Sequence, residues 1–67
     1  MSNFLDRLKE EKKELDTKRQ GLRGFIKSEN FAKIDPVQMT LLNIQINAMD
    51  TYGQVLLERI VRLEVKE

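Results

Sequence analysis

Two apolar rows with a spacing of seven residues, one on each side of a proline, set the terms on which this chain can fold. Leu8, Leu15 and Leu22 recur every seven residues, as do Leu42, Met49, Leu56 and Leu63, and Asp35-Pro36 stands between the two rows. A spacing of seven is two turns of an α-helix, so each row marks a helical stripe that must meet another helix. Proline has no amide and fits the first position of a helix, where that amide would have no partner. Asp35 before it offers a carboxylate to the helix N-terminus, and Gln38 supplies the third-position partner of a capping box. A helix is therefore predicted from Pro36. Asn3 plays the corresponding part for an earlier helix, with Asp6 in the favourable first turn.

These signals predict an all-α chain, an antiparallel two-helix hairpin with a short capped connection. The first helix covers about residues 3–27, the connection 28–35 and the second helix about 36–65, as one domain over residues 1–67. At about 1.5 Å per residue the helices span roughly 37 and 45 Å. Phe31 and Ile34 in the connection can turn inward as a plug over the end of the core.

The two helices differ sharply in polarity. The first 35 residues carry sixteen charged side chains, whereas Pro36 to Leu57 carry one, Asp50. Residues 36–63 hold fifteen apolar residues and residues 3–27 only seven. On the second helix Leu41, Ile44, Ala48 and Val55 flank the spaced row on one side, and Met39, Ile46, Leu57 and Ile60 make another flank. Apolar surface left in water is unfavourable by about 25 cal/mol per Å², and one narrow stripe cannot cover a helix that is apolar round most of its circumference. The hairpin is thus expected to assemble into a homo-oligomeric helical bundle, with Leu42, Ile46, Met49, Tyr52, Gly53, Leu56 and Ile60 at the contact between copies. Length argues the same way, because below roughly 70 to 80 residues one core seldom supplies more than about 3 to 5 kcal/mol without staples. The chain has no Cys and no His, which excludes a disulfide and the usual structural zinc site. Gly53 inside a helix costs up to about 1 kcal/mol relative to Ala, which the close approach of another helix would offset.

Twelve Lys and Arg against eleven Asp and Glu leave a formal charge of +1, which argues against the broad basic field of a nucleic-acid polymer binder. The longest apolar run is the triplet Val55, Leu56, Leu57, so neither a signal peptide nor a membrane span is expected and a cytoplasmic protein is. The inventory for catalysis is poor. The serines are Ser2 and Ser28 alone, and Gly21, Gly24 and Gly53 fit no phosphate loop. Glu10 and Glu14 read as a solvated face, and no calcium-loop spacing is present. An enzyme, a cofactor and a metal are therefore not expected.

What the chain does offer is guanidinium groups beside an aromatic ring near helix ends. Phe4 and Arg7 share a face of the first helix, Arg59 and Arg62 share one on the second, and an antiparallel hairpin brings those ends together. Arginine can hydrogen-bond phosphate in bidentate fashion or stack on a base, and a phenyl ring is a stacking platform, a combination suited to a small nucleotide. The plainer alternative makes the arginines complements of a helix dipole and Phe4 a core plug. Glu11 and Lys18 interrupt the apolar seam of the first helix. Either this stretch faces solvent, helped by a Glu14–Lys18 pair, or Lys18 and Arg19 line a polar cavity in an assembly.

Phe25, Ile26, Ser28, Phe31 and Ile34, followed by Leu41, Leu42, Gln45, Ala48, Met49, Tyr52, Val55, Leu56, Arg59 and Ile60, form a pattern that resembles a family of small phage proteins, the helical-hairpin immune antagonists. That family includes anti-CBASS and Thoeris anti-defence sponges, which sequester cyclic nucleotides or cyclic ADP-ribose-type signals. The resemblance spans Phe4 to Ile60. It implies a homohexamer of hairpins whose pockets lie between protomers, each binding a messenger without cleaving it. It also implies ligand contacts from an aromatic near the start of the first helix, matched by Phe4 without a tyrosine's hydroxyl. A basic residue about two heptads later is matched by Lys18 or Arg19, and an arginine late in the second helix by Arg59. With Arg7 and Arg62 these make the candidate ligand-binding set. A symmetric assembly would place two copies of Arg59 and of the Lys18–Arg19 pair across one pocket. The rival readings are a protein-interaction module that receives an amphipathic helix on the outer face of the second helix, and a structural coiled coil.

Overall fold

The computed structural model describes residues 3–66. It contains helix α1, Phe4–Ile26, a short 3₁₀ helix, Glu29–Lys33, and helix α2, Pro36–Lys66, with no strand among the described residues. The chain is an all-helical hairpin with principal extents of 49 × 18 × 14 Å.

The helix ends follow from local chemistry. Asn3 is extended and its side-chain oxygen accepts from the Asp6 amide at 2.8 Å, which satisfies one of the donors that the first turn leaves free. α1 stops at Ile26. The Ser28 amide bonds back to the Phe25 carbonyl oxygen at 3.0 Å and the Ser28 hydroxyl donates to the same oxygen at 2.7 Å, so the chain turns away. Phe31 then meets Phe25 edge to face, with ring centroids 6.0 Å apart and planes at 87°. Phe31 and Ile34 are each half-buried, forming the expected plug over the end of the helix pair. α2 opens at Pro36, and the Met39 amide donates to the Asp35 carbonyl oxygen at 3.0 Å.

Contacts between the helices fix their antiparallel sense. Lys9 pairs with Glu64, Leu15 lies against Gly53, and Arg23 pairs with Asp50, so numbers fall along α2 as they rise along α1. The core is small: Leu8, Leu56 and Ile60 are buried, with Leu5, Leu15 and Leu63 packed on them, and Ile46 is buried nearer the connection.

This placement corrects the expected contact between copies. Ile46, Gly53, Leu56 and Ile60 are buried inside one hairpin, Leu56 completely, while Leu42 and Met49 are half-buried and Tyr52 is exposed. The physical reason is the rotation of α2. Positions 42, 46, 49, 53, 56, 60 and 63 alternate in steps of four and three, which is the seam that one neighbouring helix covers, and α1 is that neighbour. The flank of Val37, Leu41, Ile44, Ala48 and Val55 stays exposed instead.

The open end of the hairpin as a candidate functional site

Asn3 starts α1 at Phe4, and antiparallel packing carries the last turns of α2 alongside it. The Arg59 guanidinium carbon consequently lies 5.4 Å from the centre of the Phe4 ring. At that distance the cation meets the negative face of the ring, an attraction of about 0.5–1 kcal/mol at exposed sites. Phe4 remains 56 % exposed, so much of its surface is open to a second planar group. It does not serve as a core plug. Arg7, one turn on from Phe4, and Arg62, one turn on from Arg59, are also exposed at this end. Arg59 and Arg62 line a surface depression of about 340 Å³ with Thr51, Gln54, Val55 and Glu58.

Lys18 and Arg19 are not brought to this end within one chain. Lys18 sits fourteen residues after Phe4 on the same helix, which is about 21 Å along its axis. Both Glu11 and Lys18 are exposed, so the charged middle of α1 faces solvent in the single hairpin. Arg19 is half-buried and committed: it bonds Asp16 at 3.1 Å and Asp50 at 3.3 Å. Asp50 also accepts from Arg23 at 2.6 Å, and Asp16 from Lys12 at 2.7 Å. These residues form a chain of alternating charge from Lys12 to Arg23 across the hairpin. The intrahelical pairs that form in α1 are thus Lys12–Asp16 and Asp16–Arg19, and Glu14–Lys18 is not among the ion pairs of the described residues.

This network accounts for two features of α2. Asp50 is the lone charge in its apolar stretch because it is the counter-ion of two arginines on α1. Gly53 leaves room for Arg19, since a β-carbon there would stand 3.1 Å from an Arg19 terminal nitrogen and 3.7 Å from a Leu15 methyl carbon. The helix approach that offsets the glycine comes from α1 of the same chain. The electrostatics are local. A hydrogen bond from Lys12, helped by its charge and that of Arg19, holds the Asp16 carboxyl below the usual carboxylate range, and Glu64 raises the Lys9 ammonium above its usual value.

The sequence pattern does not mark a groove on this flank, lined by Lys9, Lys12, Lys13, Asp16, Thr17 and Gln20 with Leu57 and Ile60 as its apolar wall. The steps of three and four between these α1 residues were the available signal, but on a helix so rich in charge that spacing does not stand out.

No helix of the described residues is long and apolar enough to cross a membrane. No curated protein and no solved structure matches the chain. A family model described as Sequestin matches residues 2–62, which fits a phage anti-defence sponge family of the kind the residues from Phe4 to Ile60 resemble. With nearly its whole length matched, this chain belongs to the Sequestin family.

Proposed function

We propose that this chain is a phage anti-defence protein that binds a cyclic-nucleotide immune messenger, a cyclic dinucleotide or a cyclic ADP-ribose-type signal. It holds the messenger without cleaving it, in the cytoplasm of the infected bacterium, and so blocks CBASS or Thoeris signalling. The observation that carries this reading is the Arg59 guanidinium held over an open Phe4 ring, with Arg7 and Arg62 beside them. A stacking surface flanked by three cations suits a compact dianion with planar bases. The family description, Sequestin, supports capture as the mode of action. Lys18, exposed and remote from this end, is the cation that a neighbouring copy in a hexamer would contribute, because Arg19 is already paired.

Isothermal titration of the protein against a panel of cyclic oligonucleotides and cyclised ADP-ribose tests the reading. Saturable heat with at least one member is expected, and silence across the panel would remove it. The exposed flank of α2 favours a second reading, a module that takes up an amphipathic helix of another protein. A hairpin that stays monomeric, ignores every nucleotide and retains one host protein would support it.

A further inference from the structure

We infer that Asn3 and the Lys9–Glu64 pair are positioning residues of the open-end site, which hold the first turn of α1 and the last turns of α2 so that Arg59 meets Phe4. The consequence for affinity rests on the messenger capture proposed above, while the placement of the ring and the guanidinium does not. Little else fixes either group. Phe4 is 56 % exposed and is the first residue of its helix, and Arg59 is exposed within two turns of the end of α2. Packing ties down only their neighbours, Leu5 and Leu8 on α1 and Ile60 and Leu63 on α2.

The cap holds Phe4 through the backbone. Asn3 accepts the Asp6 amide on its side-chain oxygen at 2.8 Å and the Arg7 amide on its carbonyl oxygen at 3.1 Å, closing the turn that begins with Phe4. Without the side-chain acceptor that turn unwinds more readily, and the ring leaves with it. The ion pair holds α2 from the other side. At about 100° per residue Phe4 lies about 40° to one side of Leu8 and Lys9 about 100° to the other, and Arg59 and Glu64 likewise fall on either side of Ile60. The Phe4–Arg59 contact, at 5.4 Å, and the Lys9–Glu64 contact, at 2.8 Å, therefore stand on opposite banks of the Leu8–Ile60 core. One contact alone would let the end of α2 roll about that core, whereas a contact on each bank opposes roll in both directions. Lys9 and Glu64 are each about half exposed, so both can be changed without opening the core. A site that is assembled for only part of the time loses apparent affinity by that fraction.

The Arg59 side-chain protons lie against the face of a phenyl ring, so they resonate upfield of those in a Phe4→Leu reference. That displacement reads the contact by NMR in the whole protein without any messenger. Asn3→Ala should lose much of it, and Asn3→Ser, which caps as well as asparagine, should keep it. Lys9→Gln with Glu64→Gln breaks the pair at unchanged net charge and should also reduce the displacement. Lys9→Glu with Glu64→Lys rebuilds the pair in reverse and should restore it. Helix content by circular dichroism should stay native in all four, since every change is at an exposed position. Titrated with the tightest-binding cyclic nucleotide of the panel, Asn3→Ala should bind roughly fivefold more weakly. The doubly neutral variant should lose up to about fivefold, and each restoring variant should bind as the native chain does. An undiminished displacement in Asn3→Ala or in the doubly neutral variant would overturn the proposal. So would restoring variants that behave like the broken ones, which is the pattern of a general loss of stability. Silence of the whole panel would remove the messenger reading and leave the displacements to decide this one, and unmoved displacements would leave the titration standing.

Discussion

Phe4 and Arg59 lie far apart in sequence yet share one small surface, and their contact gives each a defined role. If the ring is a base platform, Phe4→Ala removes a stacking contact worth about 1–3 kcal/mol, so messenger affinity should fall by roughly 5- to 150-fold in titration calorimetry. Arg59→Gln removes the charge and the bidentate geometry together and should weaken retention by about tenfold or more. Its effect on assembly size should be slight, because Arg59 is exposed and its contact with the Phe4 ring is worth only about 0.5–1 kcal/mol. Loss of assembly instead would make Arg59 structural. The acid side of the stability curve belongs to Asp16. Its folded pKa is lowered, chiefly by Lys12, so its contribution is complete above the ordinary carboxylate pKa of about 3.9 and is lost as pH falls through the lower folded value. Melting temperature should therefore drop below about pH 4 more steeply in the native chain than in Asp16→Asn. Lys9 works in the opposite sense. Its raised pKa contributes below the usual lysine value and is lost as pH rises beyond it, so Glu64→Gln should flatten the alkaline limb.

α2 is the element on which stability turns. Leu56 is completely buried against α1, and Leu56→Ala should cost about 2–5 kcal/mol. Against the roughly 3–5 kcal/mol that so short a core supplies, that loss leaves a large unfolded fraction in urea titration. Gly53→Val should cost about 1–3 kcal/mol by displacing Arg19 and crowding Leu15. The limits of α1 at Asn3 and of α2 at Pro36 were legible in the sequence because each acts within one turn of where it stands, Asn3 by its side-chain oxygen on the Asp6 amide and Pro36 by the amide it lacks. The meeting of Phe4 with Arg59 was legible too, since an antiparallel return fixes which ends adjoin. The rotation of α2 was not. Apolar residues surround most of it, so periodicity alone marks several acceptable seams, and only packing against α1 decides that Ile46, Gly53, Leu56 and Ile60 turn inward. The Arg19–Asp50 pair was hidden for a related reason, because a contact across the hairpin depends on the register and on the space that Gly53 leaves.

At the scale of the whole molecule, one hairpin buries few side chains and leaves a continuous apolar row of α2 in water. Sedimentation at micromolar concentration should find a multimer, and Ala48→Glu, a change at an exposed position of the single hairpin, should lower its mass while helix content is kept. The proposed function is capture of the messenger without cleavage, and the Phe4 ring with the arginines around it suits the holding of a dianion. The most direct measurement loads the protein with the tightest-binding cyclic messenger of the panel, removes free ligand by gel filtration, unfolds the complex with heat and weighs what is released by mass spectrometry. Intact messenger in fixed proportion to protein is the predicted result, and a linearised product, or no ligand carried through the column, would contradict it.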